Sequence, residues 1–255
     1  MSSVDNAVKV FRKLETEDFR VLQVVEAGMG RYRYVPEKAL PMLTELNLRE
    51  LDFRLSRLGK FSLIERWEGH YTGYVLYTSG YDCLAINALV KAGVLEALGK
   101  PLGIGKESDV YGALAPRGAQ LAVKFHHLGR VSFRQTRRLR GYMAQRHHIS
   151  WLYQSRLAAE KEFEVLKLLH PHGITVPEPI CQNRHAVVMG MIEGAQLARL
   201  KKIPRPERIL REILRNVRKA YLKADLVHAD LSDYNIILKS NRRILIIDWP
   251  QYVKK

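Results

Sequence analysis

The sequence predicts an α+β fold in two parts, a mainly helical region over residues 1–93 and a mixed region over 94–255. Three observations predict it. Apolar residues of the first region recur at helical spacing around one alternating hairpin. From Val94 onward, strand-like runs and long helical periods alternate instead. The charge changes at the same place: residues 1–93 carry 13 basic and 12 acidic side chains, and residues 94–255 carry 29 and 14.

In the first region, Glu17 to Ala27 sets Phe19, Leu22 and Val25 on one helical face and ends at Gly28. Pro36 suits the first turn of a second, short helix. Asn47 reads as the N-cap of a third, Leu48 to Leu58, stopped by Gly59. Leu48, Leu51, Leu55 and Leu58 make its apolar stripe, with Arg49, Arg54, Arg57 and Lys60 on the opposite half. Phe61 to Trp67 and Tyr71 to Thr78 alternate as strands about Glu68-Gly69-His70, and Tyr81 to Lys91 forms a last helix. Two helices, a basic helix and a hairpin in that order resemble a winged helix, whose third helix enters a nucleic-acid groove. The near-neutral charge makes any such contact a narrow one.

In the second region, Leu102 to Leu114 and Gln120 to His126 read as paired strands turned at Pro116-Arg117-Gly118. The basic stretch after Gly129 lacks periodicity and reads as a loop. Trp151 to Leu169 is a strong helix, His185 to Ile192 a buried strand, and Arg205 to Ala224 a long basic helix. Leu226 to Val253 reads as short strands and turns.

Composition narrows the class. The 255 residues are 47% hydrophobic, ordinary for a globular protein. The longest apolar runs, such as Ile244 to Ile247, fall far short of the roughly 18 residues of a membrane span. No signal-peptide pattern opens the chain, and Cys83 and Cys181 lack metal-ligand spacing, so a soluble, cytoplasmic protein is expected. The formal net charge is +16. Arg130 to Arg156 holds seven arginines and no acid, and Arg199 to Lys223 holds ten basic residues against Glu207 and Glu212. Clustered charge of one sign favours a polyanionic partner such as RNA.

Four segments carry chemistry. Gly103-Ile104-Gly105-Lys106-Glu107-Ser108 lets backbone N–H groups approach an anion, yet it has neither the spacing of a Walker loop nor a following helix. A glycine-rich hairpin over a nucleotide fits. Lys124 lies inside the apolar strand Leu121 to Phe125, where a lysine requires a carboxylate or phosphate. Asp230 and Asn235, five positions apart, can point a carboxylate at a hydroxyl or water while an amide oxygen holds a metal. Asp248 ends the apolar run from Ile244, where magnesium is its natural partner.

Together, His228-x-Asp230-x-x-x-x-Asn235, Ile247-Asp248-Trp249-Pro250-Gln251, the glycine segment through Tyr111, and Val123-Lys124-Phe125-His126 resemble the RIO family of atypical serine/threonine kinases. Ser155-Arg156-Leu157-Ala158-Ala159-x-Lys161-Glu162-Phe163 strengthens the resemblance, and a leading winged helix marks the type-two subfamily. The resemblance implies a winged helix over 1–93 and a bilobal kinase-like domain over 94–255, with an N-lobe to 189, a hinge over 190–194 and a C-lobe from 195. The chain ends seven residues after Asp248 with no activation segment, so a shortened or truncated C-lobe is expected.

The resemblance also implies roles. Gly103, Gly105, Lys106 and Ser108 shape the phosphate loop. Lys124 contacts the α- and β-phosphates of ATP and pairs with a helix glutamate, for which Glu160, Glu162 and Glu164 compete and the Lys-Glu-Phe match selects Glu162. Asp230 is the catalytic base, and Asn235 and Asp248 are the magnesium ligands. Met189 precedes the hinge, and backbone groups from Gly190 to Ile192 bond adenine. Two residues depart from the family pattern: Ala229 stands for the usual glycine and Gly190 for the usual hinge glutamate.

The expected function is therefore ATP- and magnesium-dependent phosphoryl transfer or ATP hydrolysis. The resemblance, with the two basic stretches, points to maturation of the small ribosomal subunit and its rRNA. Ser132 is a candidate self-modification site. A small-molecule phosphotransferase of the aminoglycoside or choline kinase type and a nucleotide-gated RNA-binding scaffold stand as alternatives.

Overall fold

A computed structural model describes residues 2–128 and 151–255. The expected basic loop after Gly129, Ser132 included, lies outside the described residues. No helix among the described residues is long and apolar enough to cross a membrane.

The N-terminal region begins with a helix that the periodicity did not single out, α1 (Ser3–Phe11), capped by Ser2 and Asp5. Helix α2 (Thr16–Gly28), the short strand β1 (Val35–Pro36) with its 3-10 turn, α3 (Leu40–Thr44) and α4 (Leu48–Lys60) follow. Asn47 caps α4 as expected, its Oδ1 accepting from the Glu50 N–H at 2.9 Å. The hairpin is β2 (Ile64–Glu68) and β3 (Thr72–Leu76), with β1 added to β3, and α5 (Thr78–Lys91) closes the unit.

Half of the basic face expected on α4 is spent inside the fold, for Arg49 and Lys60 are exposed but Arg54 and Arg57 are not. Arg54 is only 7% exposed and turns inward, its NH1 2.9 Å from Glu15 and 3.4 Å from Asp18, its Nε 2.7 Å from Glu50. Arg57 likewise pairs with Glu15 at 2.7 Å and bonds the Lys13 carbonyl. Two arginines placed against α2 carboxylates are neutralised internally, whereas Leu48, expected in the core, is 73% exposed.

The second region is built on a five-stranded antiparallel sheet in the order β4-β5-β6-β8-β7. Its strands are β4 (Ala97–Ile104), β5 (Ser108–Leu114), β6 (Gln120–His126), β7 (Pro179–Asn183) and β8 (Ala186–Gly190). Helix α6 (Trp151–Leu169) packs against this sheet. The lower layer holds β9 (Ala195–Gln196), α7 (Pro206–Lys223), β10 (Leu226–Val227), β11 (Ile236–Leu238), β12 (Ile244–Ile246) and β13 (Val253–Lys254). Leu166, Ile209, Ile236, Ile244 and Trp249 belong to its core.

The two regions share one continuous core: Leu22, Leu58, Tyr81 and Leu89 join Tyr111, Phe125 and Val188 of the sheet. Polar links reinforce it. Tyr111 donates to Asp5 Oδ1 at 2.9 Å, and Arg184 bonds both carboxylate oxygens of Glu26 at 2.7 and 2.8 Å.

Candidate nucleotide and phosphoryl-transfer site

A cavity of about 270 Å³ opens between the five-stranded sheet and the lower layer. The β4–β5 hairpin roofs it. The Gly105 N–H donates to the Ser108 carbonyl at 2.9 Å, and a Cβ on Gly105 would sit 3.0 Å from that oxygen. A larger residue would crowd that oxygen, so the approach favours glycine. Gly103 has open space about its Cα, which leaves room for a ligand beneath the loop.

Lys124 sits on the central strand β6, paired with β5 and β8. Its Nζ lies 2.8 Å from Glu162 Oε2 and 2.8 Å from Asp248 Oδ1. The alternation of α6 settles which glutamate answers it: Glu162 is 2% exposed, Glu164 faces solvent, and Glu160 is taken by Arg156 at 2.8 Å. Burial alone would push the lysine toward neutrality, but Glu162 and Asp248 outweigh it and raise its pKa. Burial likewise works to raise the Glu162 carboxyl. Lys124 and His126 overcome it and hold the group at about 2.

His126, two residues along the same strand, brings Nε2 within 2.7 Å of Glu162 Oε2. Burial lowers its pKa, so the imidazole is neutral at pH 7. The sequence reading quoted this histidine without giving it a role. Strand alternation, which sets residues 124 and 126 on one face, is the signal that could have found it.

The lower wall comes from the turns around β11 and β12. Asn235 is 9% exposed, and its Nδ2 donates to the Asp230 carbonyl at 2.7 Å. This leaves Asn235 Oδ1 as an acceptor. His228 pairs its Nε2 with the Ile247 carbonyl at 2.9 Å and packs on Trp249 with ring centres 4.5 Å apart. It ties the Asp230 turn to the strand that delivers Asp248. Ala229 and Asp248 both have left-handed backbones, with φ of 62° and 66°. Aspartate tolerates that region, and a glycine would hold the Ala229 position without strain.

Of the expected residues, Gly103, Gly105, Ser108, Lys124, Glu162, Met189, Ile192, Asn235 and Asp248 line this one cavity. Lys106 does not; it is exposed at the loop tip. Gly190 is also off the lining, and its N–H is spent on the Glu178 carbonyl at 2.9 Å, so Met191 and Ile192 remain beyond the strand as backbone donors. The Asp230 side chain is exposed to solvent next to the cavity floor, anchored through its carbonyl. Gln196, Arg199 and Tyr234 also line the cavity and were not expected there. They come from segments without periodicity.

Asn235 and Asp248 offer hard oxygen donors at the cavity wall, and the Asp248 side chain is 43% exposed, so a magnesium ion fits the residues present.

A glycine-rich hairpin over a lysine–glutamate pair, with an Asp–Asn turn and a second aspartate facing it, defines an ATP-dependent phosphotransferase of the protein-kinase-like class. Residues 109–255 match the family model of the RIO domain, and residues 11–92 match the Rio2 N-terminal domain. The chain belongs to the RIO family of atypical serine/threonine protein kinases, in its type-two branch. It is 44% identical over 232 residues to the RIO-type serine/threonine-protein kinase Rio2 of Methanocaldococcus jannaschii, covering 89% of this chain and 84% of that one. The rio2 kinase of Schizosaccharomyces pombe is 38% identical, with 96% of this chain and 72% of that one covered. The structure of the Chaetomium thermophilum Rio2 kinase–ADP/Mg2+–phosphoaspartate complex superposes with a TM-score of 0.83 at 32% identity, covering 97% of this chain and 76% of that one.

Proposed function

We propose that this kinase uses ATP with magnesium for phosphoryl transfer or hydrolysis during maturation of the small ribosomal subunit. The observation that carries the catalytic part is Lys124, held at 2.8 Å from both Glu162 and Asp248 beneath the glycine hairpin. Its fixed charge is placed for the α- and β-phosphates, while the loop N–H groups approach phosphate oxygens. Asn235 and Asp248 would hold magnesium, which supplies neutralisation of phosphate charge. Asp230, free of other side-chain work, accepts the proton of an attacking hydroxyl.

The relative's phosphoaspartate complex favours the hydrolytic branch as well. On that branch an aspartate carboxylate of the site attacks the γ-phosphorus, ADP leaves, and water then splits the acyl phosphate into aspartate and phosphate.

The RNA partner is supported by α7. Arg208, Arg211, Arg215 and Arg218 recur at spacings that keep them on one side of that helix, and all four are exposed. Turnover of γ-labelled ATP, with small ribosomal subunits present or absent, tests the proposal against Asp230→Ala. Label on protein or released phosphate should disappear in the variant. Equal turnover in both proteins would overturn the assignment.

A further inference from the structure

Away from the nucleotide cavity, three buried side chains from three segments converge where the N-terminal region meets the sheet. Asp82 of α5, His127 just after β6 and His185 just before β8 are each at most 2% exposed. Both imidazoles crowd one carboxylate oxygen: Asp82 Oδ1 is 3.0 Å from His127 Nε2 and 2.7 Å from His185 Nε2. Asp82 Oδ2 and His185 Nδ1, meanwhile, are buried with no hydrogen-bond partner. Two donors share one oxygen while its twin goes unused, a poor way to satisfy a buried carboxylate.

A cation between the three side chains would take both Nε2 atoms and the Asp82 carboxylate, its unused Oδ2 included. One ligand atom from each of the three residues lies within 4.8 Å of the other two. The separations of 3.0 and 2.7 Å need to widen by about 0.3 and 0.6 Å to reach the roughly 3.3 Å edge of a tetrahedron with ~2.0 Å bonds. Asp109 Oδ2, 3.5 Å from His127 Nδ1, stands where an outer carboxylate fixes a ligating histidine's tautomer.

We propose that Asp82, His127 and His185 form a structural zinc site that joins the N-terminal region to the kinase sheet. Two imidazole nitrogens and a carboxylate suit zinc, with Asp82 Oδ2 or a water completing the coordination. Each histidine binds as neutral imidazole through Nε2 and carries its proton on Nδ1, so no net charge leaves either ring. Zinc held only by the folded chain stabilises it by mass action.

The test uses the full chain, stripped with a chelator and titrated with zinc or cobalt ions. One equivalent of zinc per chain by elemental analysis, intense visible bands of tetrahedral cobalt, and a Tm that rises with zinc are expected. Asp82→Asn and His185→Gln should each lose the cobalt bands and the zinc-dependent Tm rise. A folded native chain that takes up no metal overturns the proposal, and so does binding that persists in both variants. Because the native chain alone can give the first of these results, a folding defect in a variant does not shelter the idea.

Discussion

Lys124 and Asp248, 124 positions apart in the chain, meet at 2.8 Å between Nζ and Oδ1. The lysine thereby joins α6 through Glu162 to the segment after β12, so one side chain sets the distance between the two layers around the cavity. Lys124→Ala should abolish ATP turnover and also lower stability by about 3 kcal/mol, because it strands the buried Glu162 carboxylate. Radiolabel assays and urea melts read the two effects separately. A variant as stable as the native chain would show that Glu162 does not depend on the pair.

The same carboxyl makes stability depend on pH. The Glu162 pKa is depressed from its ordinary 4.5 to about 2. A depressed folded-state value contributes stability above pH 4.5, which is lost as the pH falls toward 2. Urea midpoints measured from pH 6 to 2.5 should therefore drop through that window. The drop should be shallower in Glu162→Gln, and identical slopes in the two proteins would count against the depressed value.

Arg54 serves the fold of the winged helix. It is buried beside Asp18, which is fully buried, and contacts Glu15 and Glu50. Arg54→Ala should cost about 3 kcal/mol or more by leaving the Asp18 charge without this partner. ATP affinity should hold at temperatures where the variant remains folded. Thermal melts beside a nucleotide titration check both statements.

Ala229 stands at φ 62°, immediately before Asp230. Ala229→Gly relieves backbone strain of about 1 kcal/mol and gives back a similar amount in unfolded-state entropy, so stability and turnover should change little. Ala229→Val places a β-branched residue in that region. It should lose about 2 kcal/mol and depress turnover, since the Asp230 carbonyl bonded by Asn235 must move. Denaturant melts and initial rates distinguish the pair.

On α7, replacing Arg208, Arg211, Arg215 and Arg218 together by Gln should weaken RNA binding and flatten its salt dependence. Each lost phosphate contact removes roughly 0.7 to 0.9 from the slope of log K against log salt. Filter binding across a salt series measures it. An unchanged slope removes this helix from the interface.

Much of the site was legible because its motifs are local. A glycine pair at two-residue spacing, a lysine in an apolar strand, an Asp–Asn pair five apart and an acid ending an apolar run each carry a physical demand that neighbours in sequence must meet. The helices at Thr16–Gly28, Leu48–Lys60 and Trp151–Leu169 were likewise visible in periodicity and caps. α1 went unread although Val4, Ala7 and Val10 recur at helical spacing after the Ser2–Asp5 capping box, the signals that could have found it. The roles of Gln196, Arg199 and Tyr234 escaped because loop residues reach the cavity through chain reversal, which no spacing encodes.

The sequence by itself determined the main helices, the hairpin, the segments that carry chemistry and the unequal distribution of charge, and its motifs carried the resemblance from which phosphoryl transfer was expected. The elements and segments rest on nearest-neighbour periodicity and on residue types whose burial is costly without a partner. Only the tertiary structure decided which carboxylates meet which cations. It turned Arg54 and Arg57 of the supposed recognition helix inward onto α2, and it supplied the contact that bears out Glu162, which the Lys-Glu-Phe resemblance had selected over Glu160 and Glu164. It also brought Asp82, His127 and His185 together across a shared core. Charge pairing acts over a few ångströms in space, and residues 36 to 124 positions apart come that close only once the core has packed.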